Sequence, residues 1–141
     1  MRHHFILAAV LACACTERRP SPTLEVRDAW ARPADTAGTT AAYLTIVNRD
    51  TAPVALSAES SPVAESVSLH ETMAMSGMVH MVPLDTPQTI RSRDSLTLTQ
   101  GAKHLMVVGL KRTLSVGDSL PLVLTFTDGR VLHATAVVRA P

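Results

Sequence analysis

The chain has 141 residues, enough for one domain and too few for two ordinary ones. Its 13 Lys+Arg, eleven of them Arg, are scattered against 12 Asp+Glu, and only four aromatic residues occur in total. That excludes a basic stripe or a base-stacking platform for nucleic acid, while 46% apolar residues suffice for a buried core.

In chain order, Arg2, His3 and His4 precede the apolar run Phe5–Ala12. Such a run is too short to cross a hydrocarbon core as a helix, which takes about 20 residues, and reads as a secretory signal. Val10-Leu11-Ala12-Cys13 resembles a bacterial lipobox, so residues 1–12 are expected to be a lipoprotein-type signal peptide and Cys13 the lipidated residue. The alternative is an ordinary signal with two incidental cysteines. Acyl chains contribute about 0.8 kcal/mol per buried methylene, so two or more would hold the domain on a membrane. Residues 13–23 are polar, with Pro20 and Pro22, and read as a tether. Cys13 and Cys15 both precede residue 24, so residues 24–141 hold no C-x-x-C pair and no thiolate for a zinc or blue-copper site.

Alternating apolar positions then predict strands at Leu24–Trp30, Ala41–Asn48, Pro53–Ser57, Ser66–His70, Val79–Leu84, Ser95–Thr99, His104–Leu110, Leu120–Thr127 and Val131–Val138. Asp128-Gly129 is the strongest hairpin signal. Beyond the signal, no window longer than ten residues has helical period. Residues 24–141 are therefore expected to form one all-β domain, an antiparallel sandwich or barrel.

The chemistry concentrates in imidazole and thioether. In a strand, alternate residues share a face, so His104 and Met106 point the same way about 7 Å apart, while Leu105 points into the opposite layer. His70 faces away from Val67 and Leu69, and Met81 follows a turn around Ser76-Gly77. The two imidazoles and two thioethers are expected to meet at one end of the sandwich. Soft, neutral thioethers favour Cu(I) over Mg, Ca or Mn, and a His2Met2 set adds no negative charge, which suits a monovalent ion. From pattern alone a second account stands beside this one: Met fills core gaps, and a single strand histidine such as His133 is ordinarily a surface residue. Met73, Met75 and Met78 read either as a flexible secondary copper-capture loop or as an exposed apolar turn. His80, next to Met81 on a strand, faces the other side and is a further secondary candidate.

These residues resemble the periplasmic PCu(A)C copper chaperones. The likeness runs from about Val26 to Val138: Asp28-Ala29-Trp30-Ala31-Arg32, Ala41–Asn48, Leu69-His70-Glu71-Thr72, His104-Leu105-Met106 with Gly109-Leu110-Lys111, Gly117-Asp118 and Thr127-Asp128-Gly129. The family's metal pattern is His, ten residues, Met, about 21 residues, then His-x-Met. Here the gaps are ten and 22, the extra residue most simply absorbed around Pro87–Asp94. Gln100-Gly101-Ala102-Lys103 stands where the family has a Pro-Gly run, and the chain ends without a His/Met-rich tail. The resemblance implies a cupredoxin-like or immunoglobulin-like antiparallel β-sandwich and a non-enzymatic carrier of Cu(I) through His70, Met81, His104 and Met106. It further implies delivery outside the cytoplasm, at the Cu(A) centre of a cytochrome c oxidase or to another assembly factor. The rivals are a copper buffer with no oxidase role, a lipid-anchored interaction module, and a thiol–disulfide reductase, against which the missing Cys pair counts.

Overall fold

A computed structural model describes residues 23–141. The expected signal peptide, Cys13 and all of the tether but Thr23 lie outside the described residues. Ten strands follow in order: β1 (Leu24–Ala31), β2 (Thr39–Asn48), β3 (Val54–Ser60), β4 (Ala64–Met75), β5 (Met78–Pro83), β6 (Gln88–Ile90), β7 (Ser95–Leu98), β8 (Lys103–Leu110), β9 (Ser119–Phe126) and β10 (Val131–Val138). All nine predicted strands are present, and no helix occurs among the described residues. The fold is the expected all-β, cupredoxin-like or immunoglobulin-like arrangement.

Hydrogen bonding runs in the order β5-β4-β8-β2-β1-β10-β9-β3-β6, with β7 also on β2. Every pairing is antiparallel except β1 with β10, which is parallel and short, Trp30↔Val137 and Ala31↔Val138. One edge of β2 is shared end to end: residues 39–42 pair with β8 and residues 44–47 with β7. The folded-over sheet encloses one core in which strict alternation is visible, Leu120, Leu122, Leu124 and Phe126 of β9 being buried together with Leu44, Ile46, Leu69, Leu105 and Val107. Each fully buried side chain of this size stabilises the fold by roughly 1.5–3 kcal/mol relative to exposure.

Three features depart from the sequence expectation, and the hairpin expected at Asp128-Gly129 is present. The strand expected to end at His70 continues to Met75, because β5 pairs with its second half: Thr72↔Met81, Met73↔His80 and Met75↔Met78. Met73, Met75 and Met78 are therefore strand residues flanking the Ser76-Gly77 turn, not a flexible loop. Both turn residues have positive φ, 52° and 78°, which matches the two-residue hairpin geometry that suits strand twist. Conversely, the Asp128-Gly129 turn is a three-residue connection, with Phe126 N–H donating to the Arg130 carbonyl and Gly129 N–H to that of Phe126. Finally, the segment Pro87–Asp94 contains β6, which pairs with β3. It is tied to the end of β2 by buried Asn48, whose Nδ2 lies 2.9, 3.1 and 3.2 Å from the carbonyls of Ala52, Arg91 and Ile90. Three residues are too few to show a period.

Candidate metal centre

The register of β4, β8 and β5 decides which side chains share a face. His70 stands directly opposite His104, and Ser68 opposite Met106; Met81 is opposite Thr72, two residues on from His70. Directly opposed residues share a face, as do residues two apart, so His70, Met81, His104 and Met106 all project from the same side. That side is opposite to the buried Leu69, Leu105 and Val107. The four donors thus stand on the face of the sheet turned away from the core. Core packing fixes their direction: reversing the register by one residue would expose those leucines.

A cleft of about 280 Å³ is lined by Met81, His104 and Met106 on one side and by Arg32, Pro33 and Thr39 on the other. The second wall is held in place by two bonds, Thr40 Oγ1–H donating to the Arg32 carbonyl at 2.7 Å and Arg32 N–H to the Ala41 carbonyl at 3.1 Å. Within the cleft His104 is 4% exposed, whereas Met81 is 58% exposed. His70 and His104 meet edge to face with centroids 6.1 Å apart.

The two imidazoles are prepared differently. His104 Nδ1–H donates to the Ala102 carbonyl at 3.0 Å, which fixes the tautomer and leaves Nε2 with its lone pair. Tyr43 packs against the same ring, centroids 6.4 Å apart, and is itself backed by Trp30 at 4.5 Å. Such an aromatic pair contributes about 0.5–1.5 kcal/mol beyond burial, enough to favour one ring orientation. His70, half-buried as a residue, has a buried Nδ1 with no hydrogen-bond partner; its Nε2 is 3.5 Å from Ser68 Oγ, too long for a good bond. Burial first, and then the neighbouring His104, lower the His70 pKa, against a smaller upward pull from Asp85. A neutral imidazole with an unpaired buried nitrogen fits a metal ligand better than a structural hydrogen-bonding group.

Among the described residues no three side chains drawn from His, Cys, Asp and Glu converge. The convergence present is of imidazole with thioether, a neutral and soft donor set. Of the secondary candidates, Met73, Met75, Met78 and His80 are all on the reverse face of the β4–β5 hairpin and take no part in this cleft. His133 borders a different cavity, beside Asp28 and Leu132.

Alternation did not find Tyr43, Trp30 or the Ala102 carbonyl. Trp30 joins this face through a bulge in β1, where the pairing with β2 shifts by one residue between Arg27 and Trp30. Asp28 takes a positive φ of 52° there. The shift turns Ala31 into the core and Trp30 outward against Tyr43; the Asp28 residue type, tolerant of left-handed backbone, is the one local signal.

The family described as LpqE-like, a lipoprotein family, matches residues 24–138. A protein of Leifsonia xyli subsp. xyli that carries a lipoprotein name is 30% identical over 118 residues, covering 84% of this chain and 70% of the relative. The solution structure of Cu(I)-DR1885 from Deinococcus radiodurans is 36% identical, with a TM-score of 0.56 over 81% of this chain and 78% of that one. The apo PCuAC domain from PmoF1 superposes with a TM-score of 0.69 at 24% identity, over 85% of this chain and 96% of that domain, and shares the fold.

Proposed function

The chain belongs to the LpqE-like, PCuAC-related family, and on that premise we propose that it carries one Cu(I) outside the cytoplasm through His70, Met81, His104 and Met106. The observation that carries this reading is the shared face of the four donors together with the unpartnered, buried Nδ1 of His70. Cu(I)-bound DR1885, at 36% identity, supports the choice of metal. Copper is cargo in this reading, and the protein is a carrier, not a catalyst.

Four neutral ligands leave a bound Cu(I) with its single positive charge, which a divalent ion would double at greater desolvation cost. Exposure grades the ligands for hand-over. His104 is buried and hydrogen-bonded, while Met81 at 58% exposure stands at the cleft mouth. A recipient's donor would displace the Met81 thioether first and the histidines last, so that copper passes by ligand exchange without being released to water. The recipient is taken to be a Cu(A) subunit of a haem-copper oxidase or another assembly factor. Lipidation at Cys13 would hold the carrier on the outer face of the membrane that contains it.

The test is an anaerobic Cu(I) titration, against a competing chelator, of the full chain with Cys13→Ser and Cys15→Ser removing its two thiols, and of the same protein carrying His104→Gln or Met106→Leu. One tightly held ion per chain, weakened in both variants without unfolding, is expected. Equal affinity in all three proteins would remove these ligands from the proposal.

A further inference from the structure

The β4–β5 hairpin has a second face, and its composition is as selective as the first. Met73 is directly opposite His80, and Met75 directly opposite Met78. Opposed pairs have Cβ atoms about 4.5–5.5 Å apart, and residues two apart along a strand are separated by about 7 Å. Three thioethers and one imidazole thus stand at the corners of a small quadrilateral. Flexible methionine side chains can close that span with low-energy rotamers. His80 and Met81, neighbours on one strand, point to opposite faces, and the Ser76-Gly77 turn sets which residues of β4 each one meets.

Core packing does not account for these side chains. Met73, Met75 and Met78 are 43%, 53% and 61% exposed, on an arm reaching beyond Glu71, where the pairing of β4 with β8 ends. Large apolar groups gain nothing from water at such positions, yet the thioether sulfur retains its donor capacity there. No carboxylate occurs between Thr72 and Pro83, so the set is neutral, like the cleft on the other side.

We propose that this reverse face is a second soft-metal site, at which Met73, Met75, Met78 and His80 take a monovalent d10 ion, Cu(I) or Ag(I). It is separate from the cleft, since its four residues take the opposite face of the hairpin from Met81. Being exposed, it binds more weakly and exchanges faster than a site built around buried His104. Its place on the hairpin that also carries Met81 makes it a point of first capture from solution.

Ag(I), which is stable in air, is the probe. The full chain, with Cys13→Ser and Cys15→Ser removing two competing thiols, is titrated while the Met ε-methyl signals are followed by NMR, in the otherwise wild-type protein, in Met73→Leu/Met75→Leu/Met78→Leu, and in His104→Gln/Met106→Leu. Leucine keeps volume and apolarity while removing the sulfur. Two ions per wild-type chain are expected, the second shifting the methyls of Met73, Met75 and Met78. The triple variant should lose the second ion alone, and the cleft variant should keep it. A second ion that survives in the triple variant, or a wild type that stops at one with those three methyls unmoved, overturns the proposal and leaves the face an apolar surface. A single wild-type ion lost in the triple variant and kept in the cleft variant would instead retain this site and remove the cleft.

Discussion

His70 and His104 oppose each other on neighbouring antiparallel strands with their rings at 85°, edge to face. One ring nitrogen of each is committed or free in complementary fashion: His104 Nδ1 is bonded to the Ala102 carbonyl, and His70 Nδ1 is buried without a partner. Moving either strand by one residue would separate the two rings to opposite faces of the sheet.

The ligands should not be equivalent. His104→Gln removes a buried donor whose ring packs on Tyr43, and should lower Cu(I) affinity on the order of 100-fold or more. Met81→Leu removes an exposed thioether and should cost roughly tenfold, about 1.4 kcal/mol, while speeding transfer to a chelator. Competition titrations and stopped-flow transfer rates check both. Equal losses from the two variants would contradict the graded hand-over.

The folded state holds His70 below the ordinary imidazole value. The unfolded chain, with a pKa near about 6.5, therefore takes up its proton first as pH falls. The neutral ring's contribution is fully present above that value and is lost through the window just below it. Denaturation midpoints of the metal-free chain should fall between about pH 7 and about pH 5, and His70→Gln should flatten the slope. An unchanged slope in that variant would assign the pH dependence elsewhere. A Cu(I) ion held by His70 as proposed would compete with the same proton, so its affinity should weaken over the same interval.

Asn48 is fully buried and bridges the carbonyls of Ala52, Ile90 and Arg91, while its Oδ1 accepts from Asp50 N–H at 3.0 Å. Asn48→Ala should destabilise the domain by about 3 kcal/mol or more, because several buried polar groups lose partners at once. Urea denaturation measures it, and Cu(I) stoichiometry should stay unchanged in the folded fraction. A loss below about 1 kcal/mol would mean that water replaces the amide.

Gly77 has φ of +78° with nothing within 4 Å of the position a Cβ would take. Gly77→Val should therefore cost backbone strain alone, about 1–2 kcal/mol. Its larger effect should be on metal, since this turn sets the register that directs Met81 into the cleft and Met73, Met75, Met78 and His80 away from it. Weakened Ag(I) and Cu(I) binding with a small change in melting temperature is the expected pattern. Unaltered binding would show that the strands fix the register without the turn.

Most of the strand positions were legible because most strands bury one face, β9 most regularly, whereas β5 buries none of its residues. The likeness of the metal segments was legible too, since His104-Leu105-Met106 carries its own geometry: two residues apart on a strand can only share a face. What escaped were features without local period. β6 has three residues, and the extension of β4 past His70 depends on β5 covering it. The bulge at Asp28 changes the phase of β1 after an apparently regular start.

By itself, then, the sequence determined an all-β chain, the candidate donors, and the opposite orientation of His80 and Met81. These are properties of single strands, set by a two-residue repeat and by side-chain chemistry. Only the tertiary structure decided that His70 meets His104, that Met81 is across from Thr72, and that Tyr43 and Trp30 brace the ring from the next two strands. Those relations belong to pairing register between residues up to 61 positions apart, as with Tyr43 and His104. Register is selected when the whole core packs at once, because each one-residue slip would turn an entire strand's apolar face toward water.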